Sequence, residues 1–295
     1  AEPDRVFLAE RQGDGWREVS YAQARQMVRA LGGWMLGQGF KPGQVVAILS
    51  GNGVDHGLLA LAAQYVGIPT VPLAEQYSLI EEAHGRLIYV LDKIKPAMAF
   101  VDDAGRYAAA LKLPQLDGVD LVAAVTEGAP RQVTAFAELL KGDGGVDLEA
   151  AHAGVGPDTL AKVLFTSGSS SDPKGVLTTQ RMLCANQAQI ASALPLLKER
   201  PPRITDWLPW NHVFGGSHNV NMMLANGGTL RVDHGKPTPA LIGTTLDNIR
   251  DKPGTLSFNV PVGYAMLVQA MEQDHALREA FFGDLDLLFY AGASL

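Results

Sequence analysis

Apolar positions along the chain alternate between two rhythms. Met27, Val28, Leu31, Trp34 and Met35 recur at the spacing of one helix face. Ser20 with Gln23 fits a capping box before that helix, and Gly39 fits its stop. Lys41-Pro42-Gly43 reads as a turn. Residues 45–49 form an unbroken apolar run, the pattern of a strand buried on both faces. A Ser50-Gly51-Asn52-Gly53 loop and a helix over 55–66 follow. Residues 68–73 read as a further strand, whose prolines place it near a sheet edge. Strands over 97–101 and 121–125 continue the series.

Residues 141–158 are rich in Gly, Asp and Ala and fit an internal boundary or a surface connection. The reading is a first α/β subdomain over 1–150 and a second over 151–295. In the second, strands are expected at 161–165, 204–207, 229–232, 256–260 and 285–290. Helices are expected at 181–193, 241–250 and 263–272. Alternating strands and helices argue for a layered α/β fold.

Composition narrows the function classes. The 295 residues are 47% hydrophobic and 19% charged, ordinary for a globular protein, with a net charge of −7. Lysines and arginines are scattered, so neither a nucleic-acid stripe nor a polybasic membrane patch is expected. No apolar run approaches the roughly 20 residues of a spanning helix, and nothing at the N-terminus reads as a signal peptide. The expected location is cytoplasmic. A single cysteine, Cys184, rules out an internal disulfide, and its helical context predicts a small core residue.

The strongest chemical signal follows the apolar strand at 161–165. Thr166-Ser167-Gly168-Ser169-Ser170-Ser171 supplies hydroxyls and freely oriented backbone N–H groups, the material of an anion nest. Lys174 adds a positive charge, Pro173 stiffens the loop, and Gly175 allows a tight turn after it. The string is not the Walker A pattern, because Lys174 stands between Pro173 and Gly175. A serine-rich stretch alone fits a flexible surface loop equally well. The coincidence of strand, hydroxyl cluster, glycine, Pro-Lys-Gly and a second strand favours phosphate binding.

The stretch from Thr166 to Gly175 resembles the signature loop of the adenylate-forming superfamily, which includes acyl-CoA synthetases and peptide-synthetase adenylation domains. Two positions depart from its pattern: Ser170 stands where threonine is usual, and Ser171 where glycine is usual. Trp207-Leu208-Pro209-Trp210-Asn211-His212-Val213-Phe214-Gly215-Gly216 resembles the family's Pro-x-x-His segment. Tyr290-Ala291-Gly292-Ala293-Ser294-Leu295 resembles its adenine-side stretch, with Ala291 replacing the usual first glycine. Around these, segments at 179–186, 206–212 and 259–267 are similar to feruloyl-CoA synthases.

The resemblance implies the αβαβα sandwich of the acyl-CoA synthetase N-terminal domain, without the small C-terminal lid domain. It implies ATP, Mg²⁺ and coenzyme A as cofactors, and a small carboxylic acid, ferulate or a related hydroxycinnamate, as substrate. ATP-binding positions become Thr166, Ser167, Gly168, Ser169, Ser170, Lys174, Gly292, Ala293 and Ser294. His212 becomes the catalytic residue where carboxylate meets α-phosphate, and His212, Phe214 and His218 the acyl pocket. The bland alternatives are a hydrogen-bonded structural histidine at 212 and a core aromatic at 214. Family metal ligands have no counterpart in this sequence, so no metal site is assigned. The chain stops directly after an expected strand. It is therefore expected to be part of the enzyme, inactive alone, with an apolar face through which copies could associate. Rival readings are an acyl-CoA ligase for another aryl or fatty acid, and a nucleotide-binding fragment without chemistry. An amino-acid-activating domain is disfavoured, because Phe214-Gly215-Gly216-Ser217 offers no aspartate for a substrate ammonium.

Overall fold

A computed structural model describes residues 2–142, 147–166 and 172–294. They divide into two compact units: Gln23–Ala185 with Pro209–Val213, and Ala1–Ala22 with Asn186–Leu208 and Phe214–Leu295.

The described strands of the first unit form a seven-stranded sheet. Their order is Thr134–Ala135, Asp120–Val125, Met98–Asp103, Val46–Ile48, Thr70–Pro72, Leu160–Phe165 and Gly175–Thr179. Every neighbouring pair is parallel except the last. Helices such as Val54–Tyr65 and His84–Ile94 make the crossovers that parallel pairing requires. Side-chain alternation buries both faces. Ala47, Ala99, Val101, Leu121 and Ala123 face a cluster with Leu87, Val90 and Leu91 from helix His84–Ile94. Ile48, Phe100 and Val122 alternate with these and are buried as well, with Phe136 meeting Phe100 edge to face. Each such Val, Leu, Ile or Phe contributes about 1.5–3 kcal/mol of transfer free energy.

Within the run at 45–49, Val46–Ile48 is thus a strand buried on both faces. The strand expected near an edge is not at one: Thr70–Pro72 lies between Val46–Ile48 and Leu160–Phe165. Its prolines are tolerated because the strand is short. Pro72 ends it, and its pairing with Leu160–Phe165 is confined to Thr70 opposite Lys162.

The second unit holds a four-stranded sheet in the order Arg203–Asp206, Thr229–Val232, Val6–Gln12, Gly15–Ser20. A separate parallel pair joins Leu256–Asn259 to Leu287–Tyr290. Helices Ile242–Asp251, Pro261–Gln273 and His275–Phe282 enclose Ile249, Tyr264, Leu267, Met271, Leu277 and Phe281. Cys184 is exposed, contrary to the core role expected. Leu183 and Ile190 carry the buried stripe of helix Gln180–Ala193, and Cys184 sits about 100° round from Leu183. No helix among the described residues is long and apolar enough to cross a membrane.

Candidate functional site

In the first unit the expected phosphate loop caps a hairpin. Leu160–Phe165 pairs antiparallel with Gly175–Thr179, Phe165 opposite Gly175. One step further, the Thr166 N–H donates to the Lys174 carbonyl at 3.0 Å. Thr166 and Lys174 therefore pin the loop's two ends together, and both are exposed. Ser167, Gly168, Ser169 and Ser170 lie outside the described residues. Gly175 does not serve the turn expected of it, since its φ is not in the left-handed region. It serves close approach instead: a Cβ there would stand 3.0 Å from Val163 Cγ1 and 3.3 Å from Phe165 Cζ. Lys162, buried on the strand that leads into the loop, has its ammonium pushed down to about 8 by that burial.

Parallel pairing puts the ends of Val46–Ile48, Thr70–Pro72 and Leu160–Phe165 on one edge of the sheet. In α/β sheets ligands bind outside these carboxyl ends. The segment Pro209–Val213 is fixed to the same edge. Trp210 N–H donates to Asn52 Oδ1 at 2.9 Å, and Asn52 follows the strand Val46–Ile48. The buried Trp210 ring meets His56 edge to face at 4.9 Å. His56 Nδ1 donates to the Gly51 carbonyl at 2.9 Å. Burial pushes His56 down to about 4, and the nearby Lys162 charge adds to this. His212 stands exposed on the anchored turn, its N–H donating to the Pro209 carbonyl at 3.1 Å. The edge thus collects His212, Thr166 and Lys174.

In the second unit Phe214 and His218 do meet, edge to face at 5.8 Å. They sit on a π-helical segment, Val213–Asn219, a form concentrated at functional sites. Phe258 and Phe289 complete the cluster, with centroids 5.3 and 6.3 Å from His218. These two phenylalanines escaped the sequence reading, since only the register Phe258 opposite Phe289 brings them side by side. Asn259, at the end of its strand, accepts from Trp207 Nε1 at 3.1 Å. Its own carbonyl accepts from Ala291 N–H, tethering the stretch that holds Gly292, Ala293 and Ser294. All three are exposed, and Gly292 has φ +97°, a conformation that favours glycine.

Beneath the aromatic cluster lies a buried carboxylate. Asp206 Oδ2 accepts from Asn219 Nδ2 at 2.8 Å, and Oδ1 accepts from the Leu208 N–H at 3.1 Å. Burial pushes Asp206 up to about 7; its two hydrogen bonds oppose that rise and the Asp233 charge adds to it. No cluster of three His, Cys, Asp or Glu side chains among the described residues could hold a metal ion.

A family model described as AMP-binding enzyme matches residues 1–295. Indoleacetate–CoA ligase of Aromatoleum aromaticum is 27% identical over 252 residues, 85% of this chain and 46% of that protein. Medium-chain fatty-acid–CoA ligase of Escherichia coli K12 is 26% identical over 207 residues, 66% of this chain and 34% of that protein. Among solved structures, ATP-bound MatB from Rhodopseudomonas palustris superposes with a TM-score of 0.70 at 22% identity. That match covers 99% of this chain and 52% of the other. o-Succinylbenzoate CoA synthetase of Bacillus subtilis, in complex with its acyl-adenylate, gives 0.71 at 19% identity, covering 99% and 52%. The chain spans about half the length of these solved chains and less than half of the two ligases.

Proposed function

The chain belongs to the AMP-binding enzyme family, and from that premise we propose that it carries the adenylate-forming site of an acyl- or aryl-CoA ligase. A carboxylate oxygen attacks the α-phosphorus of ATP, the bond to the β-phosphate oxygen breaks, and pyrophosphate leaves. The thiol of coenzyme A then attacks the acyl carbon and AMP departs with the bridging oxygen. Such transfers need positioning and charge neutralisation more than covalent help from the protein. In this reading the pinned loop at 166–174 holds the terminal phosphates, and Lys174 offsets their charge. His212 orients the carboxylate toward phosphorus. Phe214, His218, Phe258 and Phe289 wall the acyl group, and the stretch with Gly292, Ala293 and Ser294 takes the adenine. The acyl group is ferulate or a related hydroxycinnamate, which an aromatic wall suits by ring stacking.

The observation that carries the reading is the shared carboxyl edge. The Thr166–Lys174 pair and the Asn52-anchored turn bearing His212 both lie there. The named ligases act on carboxylic acids with coenzyme A, which is consistent with it. The test is pyrophosphate release by the protein at its full natural length, with ATP, Mg²⁺ and a panel of aryl and fatty acids. Release that depends on a hydroxycinnamate supports both class and substrate. Release with fatty acids alone removes the hydroxycinnamate, and no release with any acid removes the enzyme reading.

A further inference from the structure

His218 touches three aromatic rings but makes one hydrogen bond among the described residues: Nδ1 lies 2.7 Å from Asn219 Oδ1. The polarity of that bond is set from below. An ionised carboxylate only accepts, so Asp206 Oδ2 takes the Asn219 amide N–H. Asn219 is wholly buried, and its carbonyl oxygen is what remains to face His218. A carbonyl accepts, so His218 Nδ1 must carry the proton. A neutral imidazole has one N–H, which leaves Nε2 as a bare acceptor. That acceptor belongs to a ring walled by Phe214, Phe258 and Phe289, and Phe289 is 43% exposed, so the wall is open to solvent.

We propose that His218 Nε2 is a hydrogen-bond acceptor that selects aromatic carboxylic acids bearing a ring hydroxyl, with Asp206 and Asn219 as positioning residues that fix its tautomer. This rests on the reading of Phe214 and His218 as acyl-pocket wall. A hydroxyl donates to Nε2; a methoxy group at the same place offers only lone pairs, and an unsubstituted ring leaves the acceptor unpaired. An acceptor that a bound ring cuts off from water without giving it a partner loses about 1–3 kcal/mol. The expected discrimination is therefore about tenfold or more.

The Asp206→Asn change separates this from a merely structural role. The Leu208 N–H holds the oxygen of residue 206 at the Oδ1 position, so the new amide must present its NH₂ to Asn219. Asn219 then turns its carbonyl to residue 206 and its NH₂ to His218 Nδ1. The histidine proton moves to Nε2, which becomes a donor. Histidine ¹⁵N spectra of the chain at about pH 8, where Asp206 with its value of about 7 is mostly ionised, read the tautomer directly. A His218→Gln sample assigns the resonance. The wild type should show Nδ1–H and Asp206→Asn should show Nε2–H; Nε2–H in the wild type overturns the proposal without any variant.

Calorimetric titration of the chain with para-hydroxycinnamate, para-methoxycinnamate and cinnamate supplies the second readout. Wild type should bind the hydroxy acid about tenfold or more tightly than the other two, and Asp206→Asn should bring the hydroxy and methoxy acids to similar affinity, because either oxygen accepts from an Nε2–H. Equal affinities in the wild type, no binding of any of the three, or a tautomer switch that leaves the hydroxyl preference intact overturns the proposal. Hydroxyl-selective binding with no consumption of ATP keeps it and removes the adenylation reading instead. ATP consumption without hydroxyl selectivity does the reverse.

Discussion

Two buried titratable groups should give opposing pH dependences of stability, and each can be uncovered alone. His56 is pushed down to about 4 in the folded chain from an ordinary 6.5. Between those values the unfolded chain binds a proton that the folded chain refuses. Stability contributed by neutral His56 is therefore lost as pH falls from about 6.5 toward 4. Asp206 is raised to about 7 from 3.8, so the folded chain holds a proton there that the unfolded chain releases. Its contribution is present below about pH 4 and is lost as pH rises through about 7. At about 1.4 kcal/mol per tenfold change, the His56 effect totals about 3 kcal/mol and the Asp206 effect about 4 kcal/mol. Over about pH 4–6.5 the two slopes have opposite signs, so the wild-type curve conceals both. His56→Asn keeps a donor for the Gly51 carbonyl and removes the titration; Asp206→Asn keeps the Leu208 bond and does the same. The assay is urea unfolding at steps from about pH 4.5 to about pH 8, plotted as variant minus wild type, so that groups common to both chains cancel. The His56→Asn difference should fall by about 1.4 kcal/mol per pH step between about 5 and 6. The Asp206→Asn difference should rise by a similar amount, whatever constant offset the altered packing adds. A flat difference curve for either variant would refute the assignment for that residue.

Three further outcomes are expected. Lys174→Met should leave the melting temperature unchanged, because the side chain is exposed, and should weaken ATP binding about tenfold or more through loss of a charged contact; equal ATP affinity by calorimetry would remove Lys174 from the site. Asn52→Ala removes the acceptor for the Trp210 N–H, and hydrogen exchange should show that amide losing about 1 kcal/mol of protection; unchanged protection would show that the turn is held by other contacts. Gly263→Ala drives a Cβ into Asn259 Oδ1, which also accepts from Trp207, so thermal and urea unfolding should record a loss of about 1–3 kcal/mol, and wild-type stability would contradict the close approach.

What the sequence disclosed follows from what each signal depends on. The buried strand Val46–Ile48, the strand leading into the expected phosphate loop and strand Thr229–Val232 were legible because each has a local cause: an apolar run or an apolar–polar alternation. Val6–Gln12 was not, although its hairpin partner Gly15–Ser20 is adjacent, since its own residues mix apolar with charged. The interior place of Thr70–Pro72 was hidden for a related reason, as proline content reports a missing donor but not how short the pairing needs to be. His212, Phe214 and His218 are candidates named by motif alone. Phe258 and Phe289 join Phe214 and His218 in one unit, and Asn52 and His56 join the turn bearing His212 in the other, only through tertiary pairing, and no spacing announces them.

The least legible feature is the polarity of the Asp206–Asn219–His218 chain, and the π-helical segment explains why. In an α-helix neighbours at i and i+1 point to different faces, so a bond between His218 and Asn219 side chains is not expected from helical periodicity. A π-helix closes its bonds at i+5, so its turn is wider and each residue rotates less about the axis. Consecutive side chains then lie closer, and His218 Nδ1 reaches Asn219 Oδ1 at 2.7 Å. Gly215 and Gly216, buried within this segment, bring no side chains of their own to that turn. The same turn sets Phe214 against His218 and leaves Asn219 aimed at Asp206, so one local departure from α geometry couples a buried carboxylate to an aromatic wall.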